Sequence, residues 1–300
     1  MVIDAHHHLW DLTAREHRWL MGGQPWASDE ELARLRRSFR LADLAPLAAA
    51  CGVTGTVVVQ TVAEPWETPD LLALAAGGDP YADGVQPGGV EPGGGGLLAG
   101  VVGWTDLAAP SVADTVAGLR ERPGGGFLCG IRHPVLAEPD PGWLARPAVR
   151  RGLGALGAAG LCFDVVTRPD QLAAAVDAAR SVPGLTFVLD HLGGPPVGSG
   201  PAGGWAAAIG ELAALPNVAC KLSGAHSEPL LARDLRPYYE TVLEAFGPGR
   251  LMFGSDWPVS SLAAGYGEVC ESYLELTAGL TAAERHAIFD GTARRVYGLR

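Results

Sequence analysis

Short apolar runs alternate with longer Ala- and Leu-rich segments along the whole 300-residue chain. Each run is too short for a helix and too uniformly apolar for an antiparallel strand with one exposed face, so it is typical of a parallel strand buried on both faces. Eight such runs predict strands at residues 2–6, 55–60, 98–104, 127–132, 161–166, 186–190, 218–222 and 251–254. Eight strands that are each followed by a helical segment predict an α/β fold, a (β/α)₈ barrel that forms a single domain over residues 1–300.

The segments between these runs carry helix boundary signals. Pro69 and Pro169 fit the first turn of a helix, where a missing N–H costs nothing, and Thr281 with Glu284 has the spacing of a capping box. A doubly wound open sheet is the alternative architecture, but the first strand lacks a Gly-x-Gly-x-x-Gly and no P-loop occurs. Helices are predicted over residues 28–40, 43–50, 69–76, 111–122, 147–159, 168–181, 204–215, 234–246, 267–279 and 281–288.

Two connections are longer than the regular spacing of the barrel allows. The chain has 42 glycines and 23 prolines, and many of them fall in the segment GGDPYADGVQPGGVEPGGGG at residues 77–96. We expect this segment to be a surface loop inserted into the barrel rather than a linker between domains. The other long connection, residues 9–40, follows the first strand.

The charge balance and the cysteines limit the partners of the chain. The formal net charge is −11, and the basic group Arg34, Arg36, Arg37 and Arg40 lies on a predicted surface helix, so nucleic acid is not expected. No apolar run reaches 18 residues and no basic leader precedes the first strand, so we expect a cytoplasmic protein without membrane contact. The five cysteines are scattered, which favours reduced thiols over a zinc–thiolate site. The expected partner is a small-molecule substrate, and a homo-oligomer is left open.

Polar side chains stand at the carboxyl ends of six predicted strands, where the chemistry of such barrels gathers. His6 and His8 end the first strand. Alternation places their imidazoles on one face, where they can converge on one metal ion, while His7 points the other way. The remaining strand ends carry Arg132, His133, Asp164, Asp190, His191, Lys221 and Asp256.

Each of these residues, taken alone, also has a purely structural explanation. His191 fits a core histidine bonded to backbone, Asp164 fits an ion-pair partner or helix cap, and Lys221 fits a paired lysine inside the barrel. Asp256 fits the cap of a following helix. Their joint occurrence at one mouth nevertheless favours an active site.

Six segments, in this order and at barrel spacing, carry a family resemblance: IDAHHHLWD, GIRHPV, FDVVTRPDQL, FVLDHLGGPP, NVACKLSG and LMFGSDWPV. Together they resemble the amidohydrolase-related (type 2) branch of the amidohydrolase superfamily over nearly the whole chain. Within that branch, the chain is most similar to the sugar-lactone and pyrone lactonases. The resemblance implies hydrolysis of a small lactone, such as a sugar aldonolactone.

The resemblance also implies roles for individual residues. His6, His8 and Asp256 correspond to ligands of a divalent metal, and Asp256 corresponds as well to the aspartate that takes a proton from the attacking water. His191 corresponds to a histidine that hydrogen-bonds the substrate carbonyl or transfers a proton. A substrate-binding role is expected for Arg132, His133, Asp164 and Lys221.

The sequence departs from the superfamily pattern where a firmly bound metal takes further ligands. Such members carry a carboxylated lysine on strand four or a histidine on strand five, and here these places show Arg132 and Asp164. A divalent metal, zinc or manganese, is therefore compatible with the site without being required. In a metal-free site, the histidines of the mouth and Arg132 would have to stabilise the oxyanion themselves.

Three points stay open at the level of the sequence. A decarboxylase or hydratase acting on an unsaturated acid shares the His-x-His and Asp256, but it usually adds the strand-five histidine that is replaced by Asp164. A barrel that only binds a sugar acid is a second alternative, against which the intact histidines of the mouth count. The rings of Trp10, Trp104 and Trp257 are candidates either for stacking on an apolar sugar face or for packing.

Overall fold

The computed structural model describes residues 1–24, 27–78, 80, 96–196, 200–201, 203–224 and 232–300. Within these residues, eight parallel strands form one sheet in which each strand pairs with the next along the chain. They are β1 (Val2–His7), β2 (Val53–Val59), β3 (Leu98–Gly103), β4 (Leu128–His133), β5 (Cys162–Val165), β6 (Thr186–Leu189), β7 (Val218–Leu222) and β8 (Leu251–Phe253). The loop predicted at 77–96 lies mostly outside the described residues.

The sheet closes on itself beside β8. The amide of Asp256 donates to the carbonyl of His6 at 2.8 Å, and the amide of His8 donates to the carbonyl of Trp257 at 2.7 Å. The predicted (β/α)₈ barrel is thereby confirmed. Consecutive residues such as Val58 and Val59 point to opposite sides of the sheet and are both buried, which explains the uniformly apolar strand runs.

Helices surround the barrel, and most of their bounds agree with the sequence prediction to within one turn. None of the helices in the described residues is both long and apolar enough to cross a membrane. Those helices are α1 (Asp29–Leu35), α2 (Leu41–Ala50), α3 (Glu67–Ala75), α4 (Val112–Arg120), α5 (Pro147–Ala158), α6 (Leu172–Ser181), α7 (Gly204–Ala213), α8 (Ala232–Phe246), α9 (Tyr266–Leu276), α10 (Ala282–His286) and α11 (Thr292–Tyr297).

The surface helix predicted over 28–40 is shorter than expected. It ends at Leu35, and Phe39 then pairs with Trp10 through two backbone hydrogen bonds of 3.0 and 2.9 Å. A backbone paired in this way must be extended, so the helix cannot continue to residue 40. Arg40 consequently lies outside α1 and forms an ion pair with the buried Asp11.

The barrel end that faces away from the strand carboxyl ends is filled by α11. Ala293 and Tyr297 of this helix pack among inward-facing apolar side chains such as Ile3 and Val57. The last helix predicted over 281–288 therefore needs correction, because a π-helical turn at Ala287–Gly291 connects α10 to α11 and extends the helical region. With this end closed, polar side chains can collect at the opposite end.

Candidate active site

Three predicted metal ligands converge at the carboxyl end of the barrel. The Nε2 atoms of His6 and His8 are 3.3 Å apart, and Oδ1 of Asp256 lies 3.6 Å from the first and 3.4 Å from the second. Nitrogen and oxygen ligands bound at 2.0–2.1 Å to a tetrahedral zinc ion are about 3.3–3.4 Å from one another. The donor set and its spacing therefore fit a divalent metal. We call His6, His8 and Asp256 the mouth triad.

The orientation of His8 is fixed by the backbone of β2. Its Nδ1 lies 2.8 Å from the carbonyl oxygen of Val59, which can only accept, so Nδ1 carries the proton. Nε2 then presents a lone pair to the other members of the triad. Burial is the main cause that lowers the pKa of His8, to about 3, so the ring is neutral and able to bind a metal. His7 points to the other side of the strand, with Nε2 2.9 Å from Thr56 Oγ1.

The backbone is strained at the mouth. Among the described residues, three that are not glycine have positive φ: His191 at 55°, Leu192 at 54° and Asp256 at 56°. Such conformations persist where the surrounding structure enforces them, and they cluster at functional sites. Gly224 contributes to this constraint, because a Cβ there would lie 2.1 Å from Nδ1 of His191 and its own φ is +66°.

Asp256 is buried and His191 is half-buried, and their surroundings shift the pKa of both side chains. Burial lowers the pKa of His191, which keeps the imidazole neutral, and its Nδ1 lies 3.0 Å from Ser223 Oγ. Burial likewise raises the pKa of Asp256, although His191 and Arg132 act in the opposite direction. A carboxyl with a raised pKa is a better proton acceptor, which suits a general base.

A second charged group lies deeper in the barrel, and we call Asp164, Asp190 and Lys221 the ion layer. Nζ of Lys221 lies 2.5 Å from Asp164 Oδ2 and 3.2 Å from Asp190 Oδ1, and all three side chains are fully buried. Burial alone would lower the pKa of Lys221, but the two carboxylates raise it overall. The hydroxyl of Tyr297 donates to Asp164 Oδ2 at 2.7 Å, so the layer is connected to α11.

Arg132 connects the ion layer to the mouth triad. Its Nη1 lies 3.3 Å from Asp190 Oδ2 and 3.3 Å from Nε2 of His6. Gln60 holds the other end of the guanidinium, because its carbonyl accepts from Nη2 while its side-chain amide donates to the Arg132 carbonyl at 3.1 Å. Sequence reasoning missed Gln60, although its place at the carboxyl end of the predicted second strand was a signal.

A cavity opens above these groups, and its wall includes Gln60, Arg132, Asp190, His191 and Asp256 together with His8. Three residues that the sequence analysis grouped as substrate-binding, His133, Asp164 and Lys221, are not part of that wall. Asp164 and Lys221 lie in the ion layer, and His133 contacts Glu138 and Trp143 on the other side of β4. Substrate contact by these three residues stays a prediction, which the cavity wall does not support.

The placement of His133 follows from strand alternation, since its neighbour Arg132 points into the barrel. The ring of His133 stacks on Trp143 at 4.1 Å and 8°, and Nε2 lies 2.7 Å from Glu138 Oε1. The indole of Trp104 donates to its Nδ1 at 3.2 Å. His133 is therefore a hydrogen-bonded residue between β4 and the segments that follow β3 and β4.

The tryptophans considered for stacking on a sugar pack elsewhere. The indole of the buried Trp10 donates to the Arg37 carbonyl at 2.7 Å, and Trp257 packs edge-on against Phe39 at 5.4 Å. Neither they nor Trp104 form part of the cavity wall, whereas Trp19 and Trp66 do. The aromatic part of the wall thus comes from the segments after β1 and β2.

The chain is similar to known proteins over most of its length. Residues 96–299 match the sequence model of the family described as Amidohydrolase. The chain is 35% identical over 304 residues to an L-fucono-1,5-lactonase from Burkholderia ambifaria, covering 98% of this chain and 94% of that protein. It is 37% identical over 313 residues to an L-fucono-1,5-lactonase from Burkholderia multivorans, covering 99% and 96%. A crystal structure of an amidohydrolase from Burkholderia multivorans with bound Zn superposes with a TM-score of 0.84 at 35% identity, covering 100% of both chains.

Proposed function

The chain belongs to the amidohydrolase family, and on this premise we propose that it hydrolyses a sugar lactone. The observation that carries the proposal is the position of Asp256, a buried carboxylate in a cavity wall within 3.6 Å of two histidines. The substrate class rests on the two L-fucono-1,5-lactonases, which match this chain over nearly its whole length.

In the proposed reaction, Asp256 is the general base. Its carboxylate accepts a proton as the oxygen of a water molecule bonds to the lactone carbonyl carbon. The bond between that carbon and the ring oxygen then breaks, and protonated Asp256 returns its proton to the departing ring oxygen. One water is consumed, and the product is the open-chain hydroxy acid.

Arg132 and His191 stabilise the negative charge that develops on the carbonyl oxygen. Both lie in the cavity wall beside Asp256. The guanidinium of Arg132 is held by Gln60 and Asp190 and needs little reorganisation when the charge forms. His191 is neutral and donates through a ring N–H, so it does not compete with Asp256 for the water proton.

The mouth triad is also the proposed holder of a divalent cation, zinc or manganese. When bound, such a cation supplies Lewis acidity to a carbonyl oxygen or a water molecule. The spacing of the three ligand atoms and the Nδ1–H orientation of His8 support this assignment. The crystal structure of the Burkholderia multivorans amidohydrolase contains bound Zn, which supports a divalent cation in a relative of this chain.

The function is tested with a panel of aldonolactones that covers five- and six-membered rings, assayed with a pH indicator because each turnover releases an acid. We expect ring opening by the wild-type chain and its loss in Asp256→Asn. Asp177→Asn is the matched control, since this exposed carboxylate on α6 pairs only with Arg180 among the described residues. If unsaturated carboxylic acids are hydrated or decarboxylated while no lactone opens, the proposal is wrong.

A further inference from the structure

His6 has neighbours at Nδ1 that require opposite tautomers. Oδ1 of Asp190 lies 3.4 Å from Nδ1, and Nζ of Lys221 lies 3.1 Å from the same atom. A carboxylate only accepts, so it requires a proton on Nδ1, whereas an ammonium only donates, so it requires a lone pair there. The tautomer of His6 therefore depends on which neighbour it bonds.

The choice of tautomer decides what His6 presents to the mouth. With the proton on Nδ1, the Nε2 lone pair points to the position shared with His8 and Asp256, at 3.3 and 3.6 Å. With the proton on Nε2, the same edge of the ring carries a hydrogen atom and cannot bind a cation. The orientation of His8 is already fixed by Val59, so His6 is the variable member of the triad.

We propose that Asp190 is a positioning residue that holds His6 in the Nδ1–H tautomer and thereby raises the affinity of the mouth triad for a divalent cation. The proposal rests on the metal-binding part of the proposed function. Sequence reasoning gave Asp190 no role, although it lies next to His191.

The surroundings of Asp190 support this role. The side chain is fully buried, and Oδ1 lies 3.2 Å from Nζ of Lys221 and 3.4 Å from Nδ1 of His6. A carboxylate oxygen has two lone pairs, so Oδ1 can accept from Lys221 and from the His6 proton together. Its other oxygen, Oδ2, is held at 3.3 Å by Nη1 of Arg132. Its backbone amide donates to the carbonyl of Val165 at 3.0 Å. Asp190 is thus fixed in place with one oxygen directed at His6, as expected of the carboxylate partner of a metal-binding histidine.

Asp164 provides a matched control. It is the other carboxylate on Lys221, it is equally buried, and its described contacts are with Lys221 and Tyr297 rather than with His6. Replacing either aspartate by asparagine removes a buried charge from the same lysine, and at Asp190 it also weakens the contact with Arg132. Only the change at Asp190 replaces the charged acceptor beside Nδ1 of His6 by an amide, which accepts more weakly or presents an N–H that requires the opposite tautomer.

The first test measures zinc affinity rather than turnover. Metal-free wild type, Asp190→Asn and Asp164→Asn are titrated with Zn²⁺ against a chromophoric chelator, and the melting temperature of each is recorded. We expect the zinc dissociation constant to rise about 10- to 100-fold in Asp190→Asn and less than about threefold in Asp164→Asn. Equal affinities of wild type and Asp190→Asn, or equal losses in both variants, would overturn the proposal, and so would a wild type that binds no zinc.

The second test does not depend on the folding of a variant. Long-range nitrogen-15 to proton correlation spectra of the metal-free wild-type protein report which ring nitrogen of His6 carries the proton, with His6 assigned from its contacts with the rings of His8 and His191. We expect the proton on Nδ1. A proton on Nε2 would refute the role of Asp190 whatever the lactone assay shows. Conversely, zinc binding with the expected tautomer but no lactone opening would reject only the proposed function.

Discussion

The mouth triad and the ion layer are both buried and both rich in ionisable groups, yet their surroundings differ. In the ion layer, Lys221 is held between two carboxylates, and Tyr297 donates a hydrogen bond to one of them. Of the three charged groups, Asp190 alone is part of the cavity wall. At the mouth, Asp256 has a strained backbone and faces the cavity. Burial of charge therefore marks both regions, whereas backbone strain marks only the mouth, and the cavity reaches only Asp190 of the ion layer.

The largest expected effect is a loss of kcat on substitution of Asp256 in the mouth triad. Asp256→Asn removes the general base but keeps the shape of the side chain, so kcat on a lactone should fall by about 10²- to 10⁴-fold. Because no member of the ion layer is changed, the melting temperature should stay close to that of the wild type. Steady-state kinetics and thermal circular dichroism measure the two quantities. Near-normal kcat would remove Asp256 from the proposed role.

Breaking the ion layer should instead destabilise the fold. Lys221→Met leaves the buried Asp164 without a cationic partner and Asp190 with Arg132 alone, which costs about 3–5 kcal/mol of unfolding free energy. Urea denaturation measures this loss. The exposed ion pair of Arg180 with Asp177 offers the control. Arg180→Met should lower the unfolding free energy by less than about 1 kcal/mol. A comparable small loss in both variants would show that the ion layer contributes little to stability.

Two adjacent residues on β4 allow the interior of the barrel to be compared with its outer face, because Arg132 points inward and His133 points outward. Arg132→Gln removes a donor to the developing oxyanion and should lower kcat/KM by about 10²- to 10³-fold. His133→Gln changes a side chain on the opposite face of the strand and should leave KM nearly unchanged. Kinetics of the two variants on the same lactone decide the matter. A large rise in KM for His133→Gln would support the substrate contact that the sequence predicts for this residue.

The smallest effect concerns the metal. Zinc supplied at about 100 times its dissociation constant should raise the unfolding free energy by about 2.7 kcal/mol if it binds only the folded chain. Thermal or urea denaturation of dialysed protein, with and without Zn²⁺, measures this gain. His8→Ala should abolish it. A stabilisation that persists in His8→Ala would locate the zinc elsewhere in the protein.

The eight strands and the grouping of polar residues at one mouth could be predicted from the sequence, because parallel strands leave uniformly apolar runs and barrel topology brings their carboxyl ends together. The end of α1 could not be predicted from the sequence, because it depends on the pairing of Phe39 with Trp10, two residues far apart in the chain. The aromatic cavity wall was missed for the same reason, because Trp19 and Trp66 are positioned by the geometry of loops. The outward direction of the His133 side chain could have been predicted, because strand alternation alone determines it.

The contact between Tyr297 and Asp164 bears on when the enzyme becomes complete during synthesis. A ribosome adds residues from the amino end at about 5–20 per second, so β1 with His6 and His8 emerges long before α11. The buried carboxylate of Asp164 lacks its tyrosine partner, and the apolar end of the barrel stays open, until residue 297 has left the ribosome. Catalytic competence should therefore arise only after α11 has been translated, rather than growing with each βα unit.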